Sequence, residues 1–354
     1  MRGIFLCSLL ALLSAQGLRA ETRRHEVQFR RNDYAAVPAP SRLQAAGLSK
    51  AILRVFSDDE RNGGLYFDSG LFPVARPVLD RWAQEYSGKT VPLWAWMGAR
   101  KFAWLGNDAL LDREWSAGEP RPIPKLDLFN PQALGLIVAL FSRLAGQPVQ
   151  GILIQDDLTL LRGEGFSNWG KASFIQASGL EADPRRMLAR GTAHYRAWED
   201  VKARRVAEVL GHIVAACREA SPAVMIGVNV HYEAPLTPER ARSWYACDVP
   251  AISASGVNLF YLMAYHRQMK AEMKLDESAS RIFFRSLLEA ALKRWGPKLA
   301  VKLQVRDWLS SEPIPLDELK AYYGLIPDGV ERVCFAAADP EDIPLIFRLI
   351  NPDF

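Results

Sequence analysis

Two adjacent aspartates end one of the most apolar segments of the chain. Asp156 and Asp157 directly follow the run GILIQ at 151–155. Side chains alternate between the faces of a strand, but at its last residues both can reach the space beyond its end. Two carboxylates this close repel each other as anions, so the pKa of one tends to rise and that group becomes suited to donate a proton. An acid at a strand end can equally cap the following loop, and the sequence leaves both roles open.

Polar and aromatic residues lie in or directly after the other apolar runs as well. The candidate binding residues are Asp58, Trp94, Trp96, Asn229, His231, Tyr265, Gln304 and Trp308. Carboxylates can protonate a glycosidic oxygen and stabilise positive charge at the sugar carbon. Aromatic faces offer apolar area to sugar rings and attract amino-sugar cations. This combination favours a site for a sugar polymer, with Asp156 and Asp157 as candidate catalytic acids.

The elements that position these residues are short and apolar. Seven runs predict β-strands at 51–56, 91–96, 151–155, 224–230, 258–264, 299–305 and 332–337. Their hydrophobicity is nearly continuous rather than alternating, which is typical of parallel strands that are buried on both faces.

Segments with apolar residues at helical spacing separate the strands. They predict helices at 77–87, 131–145, 195–220, 278–295, 316–323 and 342–349, and Asn130 before Pro131 is a typical helix start. Repeated strand–helix alternation predicts an α/β fold, a single-domain (β/α)₈ TIM-like barrel with one irregular unit. A doubly wound sheet is the structural alternative, although no glycine-rich phosphate loop opens a helix. In a barrel, the carboxyl ends of the strands build the site.

The N-terminus has the pattern of a secretory signal peptide at residues 1–20, with Arg2 before an apolar stretch and Ala20 at its end. We expect an irregular N-terminal arm over 21–48 and the barrel domain over 49–354. No later segment has the length of a membrane span. The mature protein is therefore expected to be periplasmic or secreted.

Charge and cysteine content argue against other classes of protein. Without residues 1–20 the chain has 42 basic and 40 acidic side chains, so it lacks the basic excess typical of nucleic-acid binding. Cys217, Cys247 and Cys334 match no metal-ligand spacing, and we expect Cys217 and Cys334 to be buried as small apolar residues. No cofactor and no metal are predicted.

Several segments, in order and spacing, resemble the C-terminal glycoside-hydrolase domain of the PgaB family over about residues 45–354. They are VFSDDERNGG at 55–64, YFDSGLFPV at 66–74, LWAWMG at 93–98, LFNP at 128–131, GILIQDDLTL at 151–160, YRAWEDVKARR at 195–205, NLFYLMAY at 258–265, LQVRDW at 303–308 and INPDF at 350–354.

The resemblance implies a barrel with an electronegative groove that binds partly deacetylated poly-β-1,6-N-acetylglucosamine, a biofilm polysaccharide, and cleaves it endolytically. It also implies the export machinery of that polymer as a partner. The family also has an N-terminal deacetylase domain, and we expect this chain to be the barrel alone. By position, Asp156 and Asp157 match the family's acid pair and Asp58 its first-strand acid. The positions that match groove residues are Asn229, Tyr265, Gln304 and Trp308.

The chain also departs from the family pattern. Gln155 replaces a histidine, and Arg162 replaces a further catalytic aspartate, with Glu164 as the nearest substitute and therefore a third candidate catalytic acid. A cation in place of an acid would depress the pKa of nearby carboxylates and disable an acid role. A catalytically inactive polysaccharide-binding barrel is therefore the alternative to a hydrolase. An unrelated small-molecule binder, with a deep closed pocket, is a third.

Overall fold

The computed structural model describes residues 23–30 and 38–352. The predicted signal peptide at 1–20 and part of the predicted arm lie outside these residues. Within the described part, no helix is both long enough and apolar enough to cross a bilayer.

Eight parallel strands close into a barrel, as predicted. The strands of the described part are β1 Arg24–Phe29, β2 Leu48–Arg54, β3 Phe56–Ser57, β4 Gly64–Leu65, β5 Leu93–Met97, β6 Leu111–Ser116, β7 Glu119–Leu126, β8 Gly151–Ile154, β9 Met225–Val230, β10 Leu259–Met263, β11 Leu299–Gln304 and β12 Arg332–Ala338. The barrel order is β1-β12-β11-β10-β9-β8-β5-β2, and β2 pairs back with β1. Each of the seven predicted strands overlaps a barrel strand.

The first barrel strand lies in the segment that we expected to be an irregular arm. In β1, Val27 pairs with Phe335 on one side and Ala51 on the other, so this strand closes the barrel. Its inward residues are polar, and Glu26 binds Lys50 Nζ at 2.7 Å in the interior. Because these groups satisfy each other inside the barrel, β1 lacks the continuous apolar run that predicts the other strands.

Helices surround the barrel. In the described part they are α1 Pro40–Ala45, α2 Leu79–Tyr86, α3 Pro131–Ala145, α4 Asn168–Ser178, α5 Pro184–Leu188, α6 Ala193–Ala220, α7 Glu233–Leu236, α8 Pro238–Tyr245, α9 Val249–Ala254, α10 His266–Glu272, α11 Glu277–Trp295, α12 Leu316–Tyr323 and α13 Ile343–Ile350. The predicted start of α3 is confirmed, since Asn130 Oδ1 accepts a hydrogen bond from the backbone nitrogen of Gln132 at 2.8 Å.

Apolar side chains fill the barrel interior below the site. They are Ile52, Trp94, Leu153, Leu259, Tyr261, Ala300 and Cys334, with Trp96 packed against them. A Cβ at Gly151 would overlap the indole of Trp94, so glycine at this position admits the large ring. Cys217, Cys247 and Cys334 are buried and free, as expected for Cys217 and Cys334.

Two antiparallel hairpins extend the loops at the carboxyl ends of the strands. β3 and β4 follow β2, and β6 and β7 follow β5. The second hairpin was not predicted, because its strands are polar and partly exposed and β7 contains prolines. It lies beside the loop after β8, where Phe166 donates a backbone hydrogen bond to Arg113 at 2.9 Å.

Candidate active site

Asp156 lies at the mouth of the barrel, two residues beyond the end of β8. Its side chain is partly buried, and no hydrogen bond or ion pair engages its carboxylate within 23–30 and 38–352. Its charge acts on three side chains, namely His231 directly after β9, Tyr265 just after β10 and Lys302 in β11. Asp156 is therefore a carboxylate that is available to a ligand.

The pKa values around Asp156 are set mainly by burial. Burial raises the pKa of Tyr265 well above its usual value, and the charge of Asp156 adds to this effect. Burial lowers the pKa of His231, which Asp156 and Glu272 partly oppose, so the imidazole is neutral at pH 7. The ring of His231 is stacked on Tyr245, with centres 4.0 Å apart.

Asp157 has a different environment from its neighbour. Its Oδ1 accepts a hydrogen bond from the backbone nitrogen of Ala99 at 2.8 Å, and its Oδ2 accepts from those of Arg100 and Lys101 at 2.9 and 2.7 Å. Burial raises the pKa of Asp157, although these three donors oppose the rise. Its carboxylate thus joins the loop after β5 to the loop after β8. Both of its oxygens are engaged by these backbone nitrogens.

Glu164 is buried beneath the β6–β7 hairpin. Its Oε2 binds Arg100 Nη1 at 3.0 Å, and its Oε1 binds Lys125 Nζ. Although burial acts to raise the pKa of Glu164, the two cations dominate and hold it below the usual value. Cations bind both carboxylate oxygens of Glu164, and one of them, Lys125, belongs to the hairpin. We therefore do not retain Glu164 as a candidate acid.

Arg54, Asp58 and Trp96 form one side of the mouth. Arg54 Nη2 donates to Asp58 Oδ1 at 2.7 Å, and Arg54 Cζ lies 5.5 Å from the centre of the Trp96 ring. The guanidinium compensates the charge of Asp58. The structure thus brings the predicted Asp58 and Trp96 together, and it adds Arg54 to them.

The floor of the mouth contains a lysine that the sequence did not identify. Lys302 Nζ donates to Asn229 Oδ1 at 2.9 Å, and Asn229 Nδ2 donates to the carbonyl of Ile154 at 3.1 Å. Burial lowers the pKa of Lys302 to about 8, with the charge of Asp156 opposing the shift. The sequence feature that could have identified Lys302 is its position inside the otherwise mostly apolar run LAVKLQ.

Several buried polar atoms of the mouth have no hydrogen-bond partner in the described structure. They are Gln28 Oε1, Trp96 Nε1, Gln155 Oε1, His231 Nε2 and both side-chain polar atoms of Gln304. Gln28 and Gln304 are only 2% and 1% exposed. Buried polar groups nearly always have partners, because leaving one unpaired costs about 1–3 kcal/mol. Their accumulation at one end of the barrel indicates a place for a polar ligand. Gln28 was not predicted as a site residue, because it lies on β1, which the sequence did not predict as a strand.

The two remaining predicted aromatic residues differ in depth. Trp94 is 3% exposed, and Lys50 Nζ lies 3.8 Å from the centre of its ring, within the barrel interior. Its position does not fit the predicted contact with a ligand at the mouth. Trp308 lies in the loop after β11 and is 53% exposed, so its ring is accessible from solvent.

Arg162 lies on the outside of the loop after β8. The alternative of a catalytically inactive barrel was based on this residue. Its Nη2 donates to the carbonyl of Leu188 at the end of α5 at 2.6 Å, and its side chain is exposed. The guanidinium is therefore engaged by α5, outside the group of side chains around Asp156.

Comparison with solved structures supports the fold. The glycoside hydrolase domain of PgaB (BpsB) from Bordetella bronchiseptica has a TM-score of 0.76 and 19% identity, over 93% of this chain and 98% of that one. A β-galactosidase from Halorubrum lacusprofundi has a TM-score of 0.61 and 11% identity, over 93% of this chain and 57% of that one. At these identities the likeness establishes the barrel fold. No curated protein sequence matches the chain.

A family model assigns the chain to a family. The model described as "Hypothetical glycosyl hydrolase family 13" matches residues 40–335. This range begins at α1 and ends within β12, and it contains Asp58, Asp156, Tyr265 and Gln304. The resemblance to the PgaB glycoside-hydrolase domain that the sequence indicated is confirmed at the level of fold. Because the match covers most of its length, the chain belongs to this glycosyl hydrolase family.

Proposed function

We propose that this protein hydrolyses partly deacetylated poly-β-1,6-N-acetylglucosamine, or a similar hexosamine polysaccharide, at the mouth of its barrel. The observation that carries the proposal is the uncommitted carboxylate of Asp156 among buried polar atoms without partners. A sugar ring presents many hydroxyl groups to such atoms. The choice of substrate class follows from the resemblance of the sequence segments to the PgaB family.

Asp156 is the proposed catalytic acid, and it donates a proton to the glycosidic oxygen. Most glycosidases use a second carboxylate. Here Asp157 is committed to three backbone nitrogens and Asp58 to Arg54, so neither is free to attack the sugar carbon. We therefore assign the attack on the sugar carbon to the substrate's own N-acetyl oxygen, an established exception to the two-carboxylate scheme. As this oxygen bonds to the carbon, the glycosidic bond breaks and the leaving oxygen takes the proton of Asp156. Water then opens the cyclic intermediate and releases the sugar.

The remaining residues of the mouth bind the sugar in this proposal. Gln28 and Gln304 supply hydrogen bonds to hydroxyl groups, because their amide atoms are buried and unpaired. Trp96 and Trp308 supply apolar area. Asn229 and Lys302 form the floor beside Asp156, and Asp157 keeps the loop after β8 in place.

Incubation with partly deacetylated poly-β-1,6-N-acetylglucosamine tests the proposal by the appearance of shorter products. We expect Asp156→Asn to lower the rate by about 10²–10⁴, the usual effect of removing a general acid. Asp328→Asn is a matched control, since Asp328 is exposed in the loop before β12 at the other end of the barrel. Absence of products with the unaltered protein would exclude hydrolysis of this polymer.

The second candidate function is a barrel that binds the polysaccharide without cleaving it. The specific observation in its favour is that Asp157, Glu164 and Asp58 all have their carboxylates engaged. This function predicts that the unaltered protein binds the polymer and releases no products, and that Asp156→Asn leaves affinity unchanged. Measurement of binding beside product release distinguishes the two.

We propose an exported location, either periplasmic or secreted, on the basis of the signal pattern at residues 1–20. A polymer that is made for export would then meet the protein outside the cytoplasm, together with the export machinery of the polysaccharide. N-terminal sequencing of the mature protein tests this, since cleavage near Ala20 is expected and retention of Met1 would contradict it.

A further inference from the structure

A cavity lies outside the barrel mouth, between the β6–β7 hairpin and the start of α4. It has a volume of about 330 Å³. Its walls include Trp169 and Phe166 from the loop and helix after β8, Arg113 from β6, Asp108 before β6, and Lys171. None of the mouth residues described above is among its lining residues.

Trp169 is exposed although it lies on a rigid element. All ten tryptophans lie in the described residues, and only Trp169 and Trp308 are exposed, at 51% and 53%. The helix turn that holds Trp169 is fixed, because Ser167 Oγ caps the nitrogen of Gly170 at 3.0 Å and Gly170 packs against the backbone of Gly165. The indole therefore stays exposed beside the cavity without a protein group to cover it in the described part of the chain.

The polar groups around the cavity suit a ligand with many hydroxyl groups. In the described structure, no hydrogen bond or ion pair engages the side chains of Arg113 and Lys171, which leaves two donors. Asp108 is an exposed acceptor on the same wall. Because two cations and two acids, Asp108 and Asp127, line the cavity, its formal charge is balanced, which disfavours a polyanion and suits a sugar ring that stacks on Trp169.

The cavity lies on the same end of the barrel as Asp156. β5 and β8 are neighbouring strands, the hairpin follows β5, and Trp169 follows β8 by one loop. Arg100 joins that loop to the hairpin by binding both Asp112 and Glu164. Trp169 therefore lies at the same end of the barrel as Asp156, on the β5–β8 side.

We propose that this cavity is a second sugar-binding site, with Trp169 as its stacking surface, that holds a distant part of the polysaccharide chain bound at the mouth. This inference rests on the proposed function in its choice of polymer. It assigns to Trp169, Arg113 and Lys171 a role in retaining long chains and no role in the cleavage step.

The test compares a long chain with a short one. Binding of partly deacetylated poly-β-1,6-N-acetylglucosamine and of a trisaccharide of the same linkage is measured for the unaltered protein and for Trp169→Ala. Loss of one stacked aromatic is expected to weaken binding of the long polymer about five- to tenfold and to leave trisaccharide binding within about twofold. Ile175→Ala is the matched control, because Ile175 is a half-exposed apolar residue on the same helix that does not line the cavity.

The outcomes separate this inference from the proposed function. Equal affinity of Trp169→Ala and the unaltered protein for the long polymer would overturn the second site, as would an equal loss for both ligands or the same loss in Ile175→Ala. Polymer binding that depends on Trp169 without any product release would support the second site and reject hydrolysis. An unaltered protein that binds neither ligand would reject both.

Discussion

The backbone nitrogen of Arg100 donates a hydrogen bond to Asp157 Oδ2 at 2.9 Å, while the guanidinium of the same arginine binds Asp112 and Glu164 at 2.5 and 3.0 Å. One residue thus joins the loop after β5, the β6–β7 hairpin and the loop after β8. Its contacts hold the loop that carries Asp156 at two positions that follow this residue, Asp157 and Glu164. The two adjacent aspartates consequently differ in environment, since three backbone nitrogens engage the carboxylate of Asp157, and no hydrogen bond or ion pair engages that of Asp156 in the described structure.

Asp157→Asn should destabilise the fold more than Asp156→Asn. The amide that replaces Asp157 places donors against backbone nitrogens that are themselves donors, and charge-assisted hydrogen bonds are lost. We expect a loss of about 2–3 kcal/mol in the free energy of unfolding for Asp157→Asn and less than about 0.5 kcal/mol for Asp156→Asn. Urea denaturation measures both, and similar losses in the two variants would refute the separation of roles.

Arg100→Met should be strongly destabilising. The substitution leaves the buried carboxylates of Asp112 and Glu164 without their shared counterion. Breaking a buried ion pair from one side costs about 3–5 kcal/mol. Arg81→Met on α2 is the control, since Arg81 is an exposed arginine in an ion pair with Glu85, and a surface pair contributes at most about 1 kcal/mol. Comparable denaturation midpoints for the two variants would contradict the prediction.

His25 should make the fold sensitive to acid. Burial lowers the pKa of His25 to about 4 from an ordinary value of 6.5, and its Nε2 lies 2.7 Å from the hydroxyl of Tyr323. Between these two pH values the unfolded chain binds a proton that the folded chain does not, so stability falls as the pH decreases from 6.5 to 4. The full effect is about 3 kcal/mol.

His25→Gln removes this titration and serves as the comparison. The difference in unfolding free energy between the unaltered protein and His25→Gln is measured from pH 7 to pH 4. As the pH falls over this range, the unaltered protein should lose about 3 kcal/mol of unfolding free energy relative to His25→Gln. Parallel pH profiles would show that His25 is not the responsible group.

Gly151→Ala should disturb the barrel interior. The added Cβ overlaps the indole of Trp94, and overpacking a rigid core costs about 1–3 kcal/mol. Gly135→Ala is a matched control, because a Cβ at that exposed position of α3 has open space around it. Alanine there should stabilise the helix by about 0.5–1 kcal/mol.

A second substitution identifies the cause. In the Trp94→Phe background the smaller ring reduces the overlap, so Gly151→Ala should cost less there than in the unaltered protein. The four proteins of this double-mutant cycle are compared by thermal or urea denaturation. An equal cost in both backgrounds would show that the glycine is required for another reason.

The sequence alone determined the barrel, and it predicted that the site lies at the carboxyl ends of the strands. Seven strands were predictable because each is buried on both faces and is therefore apolar along its length. The aspartates after β8 and the cap of α3 by Asn130 were predictable because they depend on neighbours in the chain. Resemblance to a glycoside-hydrolase family followed from the same local segments.

The tertiary structure decided which of these residues are available for chemistry. Asp157 is committed by backbone donors that lie 56 to 58 positions away in the chain, and Glu164 by Arg100. β1 is a barrel strand because Glu26 finds Lys50 and the hydroxyl of Tyr261 across the interior. Such pairings are formed between distant segments and leave no local pattern, so the sequence showed the residue types at the mouth while only the fold showed which of them remain without partners.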